Sequence, residues 1–156
     1  MEARAYPVAN LGSFLAGRWE IDRRIVDRPG AHEGRYVGVG WFLPEDGGLR
    51  YEERGRLRTG SREVSAGRGL RLRLREDGQA DVAFPDGSPF HGLDLRSGFW
   101  HVAHDCGCDR YLGSYVVRSP SAWETTWTVA GPGQEARMSS AYRRSAGAGP
   151  TRLSPR

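Results

Sequence analysis

Two of the four histidines and both cysteines of this 156-residue chain lie within the stretch HVAHDCGCDRY, residues 101–111. His101, His104, Cys106 and Cys108 all carry atoms that bind metals or move protons. On a strand, residues three apart point to opposite faces, so the two histidines cannot reach one ion. Cys-x-Cys with one histidine supplies three ligands at most, whereas zinc sites usually have four. We expect no metal here, and no Cys106–Cys108 disulfide, because that ring is strained.

Two interpretations of this stretch stay open. In the first, it is a tight hairpin in which Gly107 and the flanking acidic residues form the turn and Cys106 packs as a small apolar side chain. In the second, His104 lies at the mouth of a barrel, with Asp109 orienting its ring and Tyr111 close by. A carboxylate beside an imidazole fixes its tautomer and raises its basicity. His104 would then be a general base or a ligand-binding group.

Charged residues that interrupt apolar strand faces form a second candidate set. Arg23 falls on the apolar side of the strand that begins at Trp19, and Glu53 on the apolar side of the strand that contains Tyr51. A buried lone charge is costly, so each needs a partner. Either they form a structural ion pair, or they line a ligand cavity, with Arg23 holding an oxyanion and Glu53 acting as an acid or base with a raised pKa. A register shifted by one residue would instead place both in water.

The remaining site candidates are a histidine and several aromatic residues. His91 shares a face with Leu93 and Leu95, where a lone histidine is usually a hydrogen-bonded core residue, and no motif marks it as a haem ligand. Aromatic side chains on the presumed inner faces would give a largely apolar pocket with few polar groups. These aromatic residues are Tyr36, Tyr51, Tyr115, Trp123, Trp127 and Tyr142.

The first element that must position these residues is a short helix. In PVANLGSFLAG, the apolar residues Val8, Leu11, Phe14 and Leu15 recur at helical spacing, and Gly17 suits the end of a helix. A helix of this length needs a surface to lie on.

Beyond the helix, apolar residues recur at every second position, and turn residues follow about every 8 to 12 residues. In GLRLRLRED, Leu70, Leu72 and Leu74 point inward and the arginines between them point to solvent. No helical pattern separates the strands, which argues against a parallel sheet. The sequence predicts an all-β fold, a single antiparallel up-and-down barrel of about eight to ten strands that the N-terminal helix closes at one end.

Composition limits the partners and divides the chain. The net charge is +4, and all 23 basic residues are arginines spread over many segments, so we expect no nucleic-acid partner. No apolar run reaches about 18 residues, so we expect no membrane span. The N-terminus has no signal-peptide pattern, so we expect a cytoplasmic location. We expect a flexible segment at 1–7, the barrel at 8–144 and a disordered tail at 145–156. No cofactor is expected, and a homodimer is an open option.

Two resemblances extend these expectations. The stretch FLAGRW, residues 14–19, resembles the opening of lipocalins and related calycins. That likeness implies that Trp19 packs under the barrel floor and that Arg143 or Arg144, from the last strand, lies over it. The series GRWEIDRRI, YVGVGWF, FPDGSPFHGLDL and HDCGCDRY resembles an uncharacterised bacterial and fungal family of unknown function over most of residues 14–144. This second likeness implies a calycin-like barrel and transfers no activity.

Several hypotheses for function follow. The first is a barrel that binds one small, largely apolar organic molecule, whose polar end is oriented by Arg23, Glu53, His91 and His104. The second is a cofactor-independent enzyme, such as an isomerase, cyclase or hydratase, in which His104 or Glu53 moves a proton and Arg23 holds an oxyanion. A haem or metal protein, and a structural domain with a filled barrel, are further alternatives.

Overall fold

The computed structural model describes residues 4–27, 32–132 and 134–144. Two predicted segments fall wholly or partly outside the described residues: the tail at 145–156, and residues 1–3 of the flexible segment. Within the described part of that segment, the Tyr6 amide donates to Val117 O at 2.7 Å. Helix α1 spans Leu11–Leu15, and the strands are Gly17–Asp27 (β1), His32–Glu45 (β2), Gly48–Thr59 (β3), Arg62–Leu74 (β4), Ala80–Ala83 (β5), Pro89–Leu93 (β6), Phe99–Cys106 (β7), Asp109–Ser119 (β8), Ala122–Gly131 (β9) and Gln134–Arg143 (β10). The described part of the chain has no helix long and apolar enough to span a membrane.

The strands form one nearly closed antiparallel barrel. Their order in the sheet is β6-β5-β4-β3-β2-β1-β10-β9-β8-β7, so strands that are neighbours in sequence pair with each other except for β6 and β7, and β1 also pairs with β10. The described residues form no hydrogen-bonded ladder between β6 and β7. Across this seam the indole N–H of Trp100 donates to the carbonyl of Gly92 at 2.8 Å. The predicted all-β, up-and-down barrel with one short helix is confirmed.

Alternation of side chains produces the core, as the period of two predicts. In β9 every second residue, from Trp123 to Val129, is buried. Gly38 on β2 lies opposite Gly55 on β3, and a Cβ on either glycine would collide with the backbone of the other strand. The two strands therefore approach closely only because both positions lack a side chain.

Helix α1 is shorter than the pattern predicts. The Asn10 side chain accepts from the Ser13 amide at 3.0 Å and caps the helix, so Val8 lies before it. Leu11 and Leu15 are buried and cover one end of the barrel. The helix therefore closes this end with a single turn of apolar side chains.

The floor under the helix contains the predicted pairing of an arginine with a tryptophan. Arg144 lies over the Trp19 ring with its Cζ 4.0 Å from the ring centroid, and it donates to the carbonyls of Phe14 and Ala16. The Trp19 indole N–H donates to Leu15 O at 2.8 Å. Of the two arginines that the resemblance allows, Arg144 takes this position, and Arg143 is exposed.

Candidate functional site

An ion pair occupies the centre of the barrel. Arg23 on β1 and Glu53 on β3 point inward, and only 6% and 3% of their surfaces are exposed. The guanidinium donates from Nη1 to Oε2 at 2.6 Å and from Nη2 to Oε1 at 3.0 Å. Its Nε donates to the Ser140 hydroxyl at 2.7 Å, and Nη2 also donates to the Tyr142 hydroxyl at 3.0 Å. Of the alternatives that the sequence allows, the structural ion pair describes this arrangement.

Glu53 is held in its ionised form. Burial alone would raise the pKa of this carboxyl, but the hydrogen bonds from Arg23 and the positive charges of Arg68 and Arg23 outweigh burial, and the pKa lies below its ordinary value. The Tyr51 hydroxyl donates a further hydrogen bond to Oε1 at 2.5 Å. The prediction of a raised pKa is therefore wrong, because it did not include two guanidinium groups facing one carboxylate.

The barrel interior around this ion pair is filled. A void of about 40 Å³ is lined by aromatic residues that the sequence predicts for the site, among them Tyr51, Trp123 and Tyr142. Trp123 stacks on Tyr142 with ring centroids 3.8 Å apart. Tyr36 donates its hydroxyl to Ala66 O at 3.2 Å. These predicted ligand-binding residues therefore pack mainly against one another and the ion pair.

A larger cavity opens at the end of the barrel away from α1. This mouth cavity has a volume of about 450 Å³, and its lining includes side chains from β4, from the loop after β5, and from β6–β10. Neither Arg23 nor Glu53 lines it, so the expectation that they face a ligand cavity does not hold for this space. The lining side chains are those of Arg68, Leu70, Phe84, Pro85, Phe90, His104, Cys106, Tyr111, Tyr115, Trp127 and Met138.

Stacked aromatic rings form one wall of the mouth cavity. Phe90 stacks on Phe84 at 4.6 Å and on Trp127 at 5.2 Å between ring centroids. Trp127 lies opposite Gly113 on β8, where a Cβ would come within 2.7 Å of the indole ring. The absence of a side chain at Gly113 therefore lets Trp127 lie against β8 and keeps its face toward Phe90.

Arg68 is a site residue that sequence reasoning missed. It lies opposite Glu53 in the β3–β4 register, with its Nε 3.5 Å from Glu53 Oε1. It borders both the inner void and the mouth cavity, and 41% of its side chain is exposed. The signal was present, because position 68 has the same parity as the inward residues Leu70 and Leu72. The leucines make the inward face evident only from Leu70 onward, and Arg68 lies one inward position earlier.

The two predicted histidines have different roles around Phe90. His91 is hydrogen-bonded through Nδ1 to Gly92 O at 2.6 Å and through Nε2 to the Tyr115 hydroxyl at 3.3 Å. Burial lowers the pKa of His91 below its ordinary value, and the nearby His104 acts in the same direction. His91 is thus a partly buried residue with a hydrogen-bond partner at each ring nitrogen. His104 lines the mouth cavity, with its ring edge-on to Phe90 at 5.4 Å between centroids.

The hairpin after His104 is as tight as the first interpretation predicts. The β7–β8 ladder continues to Cys106 opposite Asp109, so Gly107 and Cys108 alone form the turn. The residue opposite His104 is Tyr111 rather than Asp109, and the rings of His104 and Tyr111 lie 6.2 Å apart. Tyr111, like His104, lines the mouth cavity, whereas Asp109 is absent from its lining.

Both cysteines of this hairpin are free and exposed. The expectation that Cys106 packs as a small apolar side chain is therefore wrong, because the ladder carries this residue past the core to the rim of the mouth cavity. Within the described residues, no group of three or more His, Cys, Asp or Glu side chains is placed to hold a metal ion.

The fold and the mouth cavity define this chain as a β-barrel protein with an aromatic-lined cavity at one end. The model of a family of unknown function, DUF6314, matches residues 15–144, and the chain belongs to that family. The resemblance to a family of unknown function is thereby confirmed. Among curated proteins, none matches the sequence.

Solved structures with a similar fold come from natural and designed proteins. The S-type phycobiliprotein lyase CPES from Guillardia theta is 9% identical, with a TM-score of 0.59 over 90% of this chain and 93% of the lyase. A DUF3598 protein of unknown function from Nostoc punctiforme PCC 73102 is 10% identical, with a TM-score of 0.47 over 90% of this chain and 51% of that protein. A de novo designed fluorescence-activating β-barrel is 18% identical, with a TM-score of 0.43 over 88% of this chain and 100% of the design. At these identities, the likeness concerns the fold alone.

Proposed function

We propose that this protein binds one small, largely apolar, aromatic molecule in the mouth cavity. The observation that carries the proposal is the cavity itself, about 450 Å³ in volume and lined by the stacked rings of Phe84, Phe90 and Trp127. Small-molecule sites in proteins usually have volumes of about 300 to 1,000 Å³ and apolar walls with a few polar groups. The inner void of about 40 Å³ has room for a water molecule and not for an organic ligand.

This proposal moves the site from the centre of the barrel to its mouth. The ion pair of Arg23 and Glu53 lies deeper in the barrel and does not line the cavity. The polar groups that line the cavity are those of His104, Tyr111, Tyr115 and Arg68. The fold shared with a phycobiliprotein lyase adds general support, although at 9% identity it transfers neither a substrate nor a reaction. In this proposal the aromatic wall contacts the apolar part of the ligand, and the polar groups orient the ligand in the cavity.

The same geometry reduces the number of residues that could transfer a proton in an enzyme. Glu53 is held ionised by arginine and does not line the mouth cavity, so it is a poor candidate for proton transfer. Histidine is the residue type best suited to proton transfer near neutrality, and His104 is the histidine that lines the cavity. An enzyme that uses this cavity would thus depend on His104, and His104→Gln would abolish its turnover while leaving ligand binding measurable.

A neutral fluorescent dye, N-phenylnaphthylamine, provides a direct test. We expect the dye to bind with one-to-one stoichiometry and to quench Trp127, which lies in the cavity wall. The two cysteines supply an internal control, because Cys106 lines the cavity and Cys108 does not. In variants that retain one thiol each, the dye should slow alkylation of Cys106 by iodoacetamide and leave alkylation of Cys108 unchanged. Equal effects on both thiols, or no binding, would contradict the proposal.

A pair of matched substitutions tests the location of the dye. Met138→Trp adds a ring inside the mouth cavity, whereas Leu112→Trp adds the same ring at a position that is 46% exposed on the outer face of β8. We expect the first variant to weaken dye binding at least tenfold and the second to leave it unchanged. Unaltered binding in both folded variants would place the dye outside the cavity.

A further inference from the structure

From the charges around the mouth cavity, we infer that the ligand is an aromatic acid whose anionic group pairs with Arg68. The inference rests on the proposed function, since it names the chemical class of the molecule bound in that cavity. It assigns to Arg68 the recognition of a carboxylate or a comparable oxyanion. The aromatic wall formed by Phe84, Phe90 and Trp127 contacts the apolar part of the same molecule.

The first reason is that the guanidinium of Arg68 has unused donors. Its closest acceptor is Glu53 Oε1 at 3.5 Å from Nε, which is an ion-pair approach rather than a well-formed hydrogen bond. Among the described residues, the Arg68 side chain makes no hydrogen bond. Arginine carries five N–H donors in a planar fork that matches the two oxygens of a carboxylate. The Arg68 side chain is 41% exposed and lines the cavity, so we assign these donors to a ligand bound there.

The second reason is that Glu53 already has its partners. Arg23 donates to both carboxylate oxygens, and Tyr51 donates to Oε1 at 2.5 Å. One carboxylate therefore faces two guanidinium groups, and the cluster has one positive charge in excess. The charge of Arg23, the more deeply buried arginine, is neutralised by the bidentate pair. The excess charge consequently lies on Arg68, the member of the cluster that borders the cavity.

The third reason is that the cavity offers this charge no counter-ion. The remaining lining side chains are aromatic, aliphatic, His104 and Cys106, and none is a carboxylate. A charge next to apolar walls is poorly solvated, so an anion from the ligand gains more there than at an open surface. A cationic molecule would meet repulsion from Arg68, and a neutral molecule would leave its donors unpaired. An apolar acid satisfies both the ring wall and the charge.

A matched pair of dyes distinguishes the contribution of the anionic group to affinity from that of the apolar rings. Anilinonaphthalene sulfonate carries a sulfonate on the skeleton of the neutral N-phenylnaphthylamine. We expect the anionic dye to bind about tenfold more tightly or better, the effect of one charge-assisted hydrogen-bond pair. In the unaltered protein, naphthoate should likewise displace N-phenylnaphthylamine at lower concentration than naphthamide does. Equal affinities within both pairs would overturn the assignment and leave the proposed function standing.

Arg68→Met tests the residue itself, and Arg71→Met is the matched control, since Arg71 lies on the same strand and is exposed on the outer face. Arg68→Met should fold, because Glu53 keeps its bidentate partner Arg23. We expect the preference for the anionic dye to fall to about twofold or less in Arg68→Met and to persist in Arg71→Met. A preference that survives in folded Arg68→Met would overturn the inference, as would an equal loss in the control. If neither dye enters the cavity of the unaltered protein, the proposed function fails first.

Discussion

Arg23 and Glu53 lie on strands that are not neighbours, β1 and β3, yet the guanidinium and the carboxylate meet over the inner face of β2 through two hydrogen bonds of 2.6 and 3.0 Å. The pair thereby links the two sides of β2 through the interior. Desolvating two ions is costly, and good geometry with further hydrogen bonds is needed to offset that cost. Here Ser140, Tyr142 and Tyr51 supply the further hydrogen bonds.

Removing one member of this pair should lower the free energy of unfolding strongly, because its charged partner stays buried. We expect Glu53→Gln to lower the free energy of unfolding by about 3 to 5 kcal/mol, because it leaves Arg23 buried without a counter-charge. The double variant Arg23→Met/Glu53→Gln should lose less than the sum of the two single variants. Urea unfolding of the four proteins measures this coupling. Strictly additive losses would show that the two residues do not act as a pair.

The same carboxylate should set the acid limit of stability. Because the pKa of Glu53 is lower in the folded protein than its ordinary value of 4.5, the pair is fully stabilising above pH 4.5, and stability is lost as the pH falls through the folded-state pKa. Unfolding free energies measured against pH should therefore fall less steeply on acidification in Glu53→Gln than in the parent. Glu52→Gln, on the adjacent and more exposed position, should keep the parental slope. A parental slope in Glu53→Gln would contradict this account.

His91 should add a second pH dependence at higher pH. Its pKa lies below the ordinary value of 6.5 in the folded protein, so the unfolded chain binds a proton first on acidification. Stability should consequently decrease as the pH falls from about 6.5 toward the folded-state pKa, and it should be independent of this group above that range. We expect His91→Gln to remove this step. Histidine titration followed by NMR in the folded protein gives the folded-state pKa directly, and an upward shift would refute the prediction.

The arginine over the floor tryptophan should be a stabilising residue. Arg144→Met removes a cation–π contact with Trp19 and the charged donors that cap the carbonyls of Phe14 and Ala16. We expect a loss of roughly 2 kcal/mol in the free energy of unfolding. Arg143→Met makes the same change at the preceding, exposed position and should cost less than about 0.5 kcal/mol. Similar losses in both variants would indicate a general charge effect.

The seam between β6 and β7 should respond to a single hydrogen bond. Trp100→Phe keeps a ring but deletes the indole N–H that donates to Gly92. We expect amide hydrogen exchange to become roughly fivefold faster in β6 and β7, the effect of about 1 kcal/mol, and to stay unchanged in β1 and β10. Exchange that rises equally in all strands would show global destabilisation instead.

Much of the fold was predictable because each strand reports its own inner face. The alternation in β9 predicts which of its residues are buried, and the alternation in β1 and β3 correctly places Arg23 and Glu53 inside. What local alternation does not show is which inward residues meet, because this depends on the register between strands. The excess charge on Arg68 becomes visible only once Arg68 is known to lie opposite Glu53.

The position of the cavity was harder to predict for a related reason. Inward-facing residues near the helix and at the centre, such as Trp123 and Tyr142, are large enough to fill the barrel. Among the described residues, the mouth cavity lies toward the other end, where strands run past the packed core and Cys106 emerges at the rim. The balance between filled and open interior depends on side-chain volumes summed over all ten strands, and no single segment contains that information.

The mouth cavity spans the seam between β6 and β7. Phe90 belongs to β6 and His104 to β7, and their rings meet at 5.4 Å where the described strands form no ladder. Everywhere else in the sheet, widening the barrel would break rows of backbone hydrogen bonds. Here the wall is held together by ring contacts and one indole donor, which separate at much lower cost. We therefore expect the barrel to widen more readily at this seam than at the hydrogen-bonded strand pairs, which would keep their register.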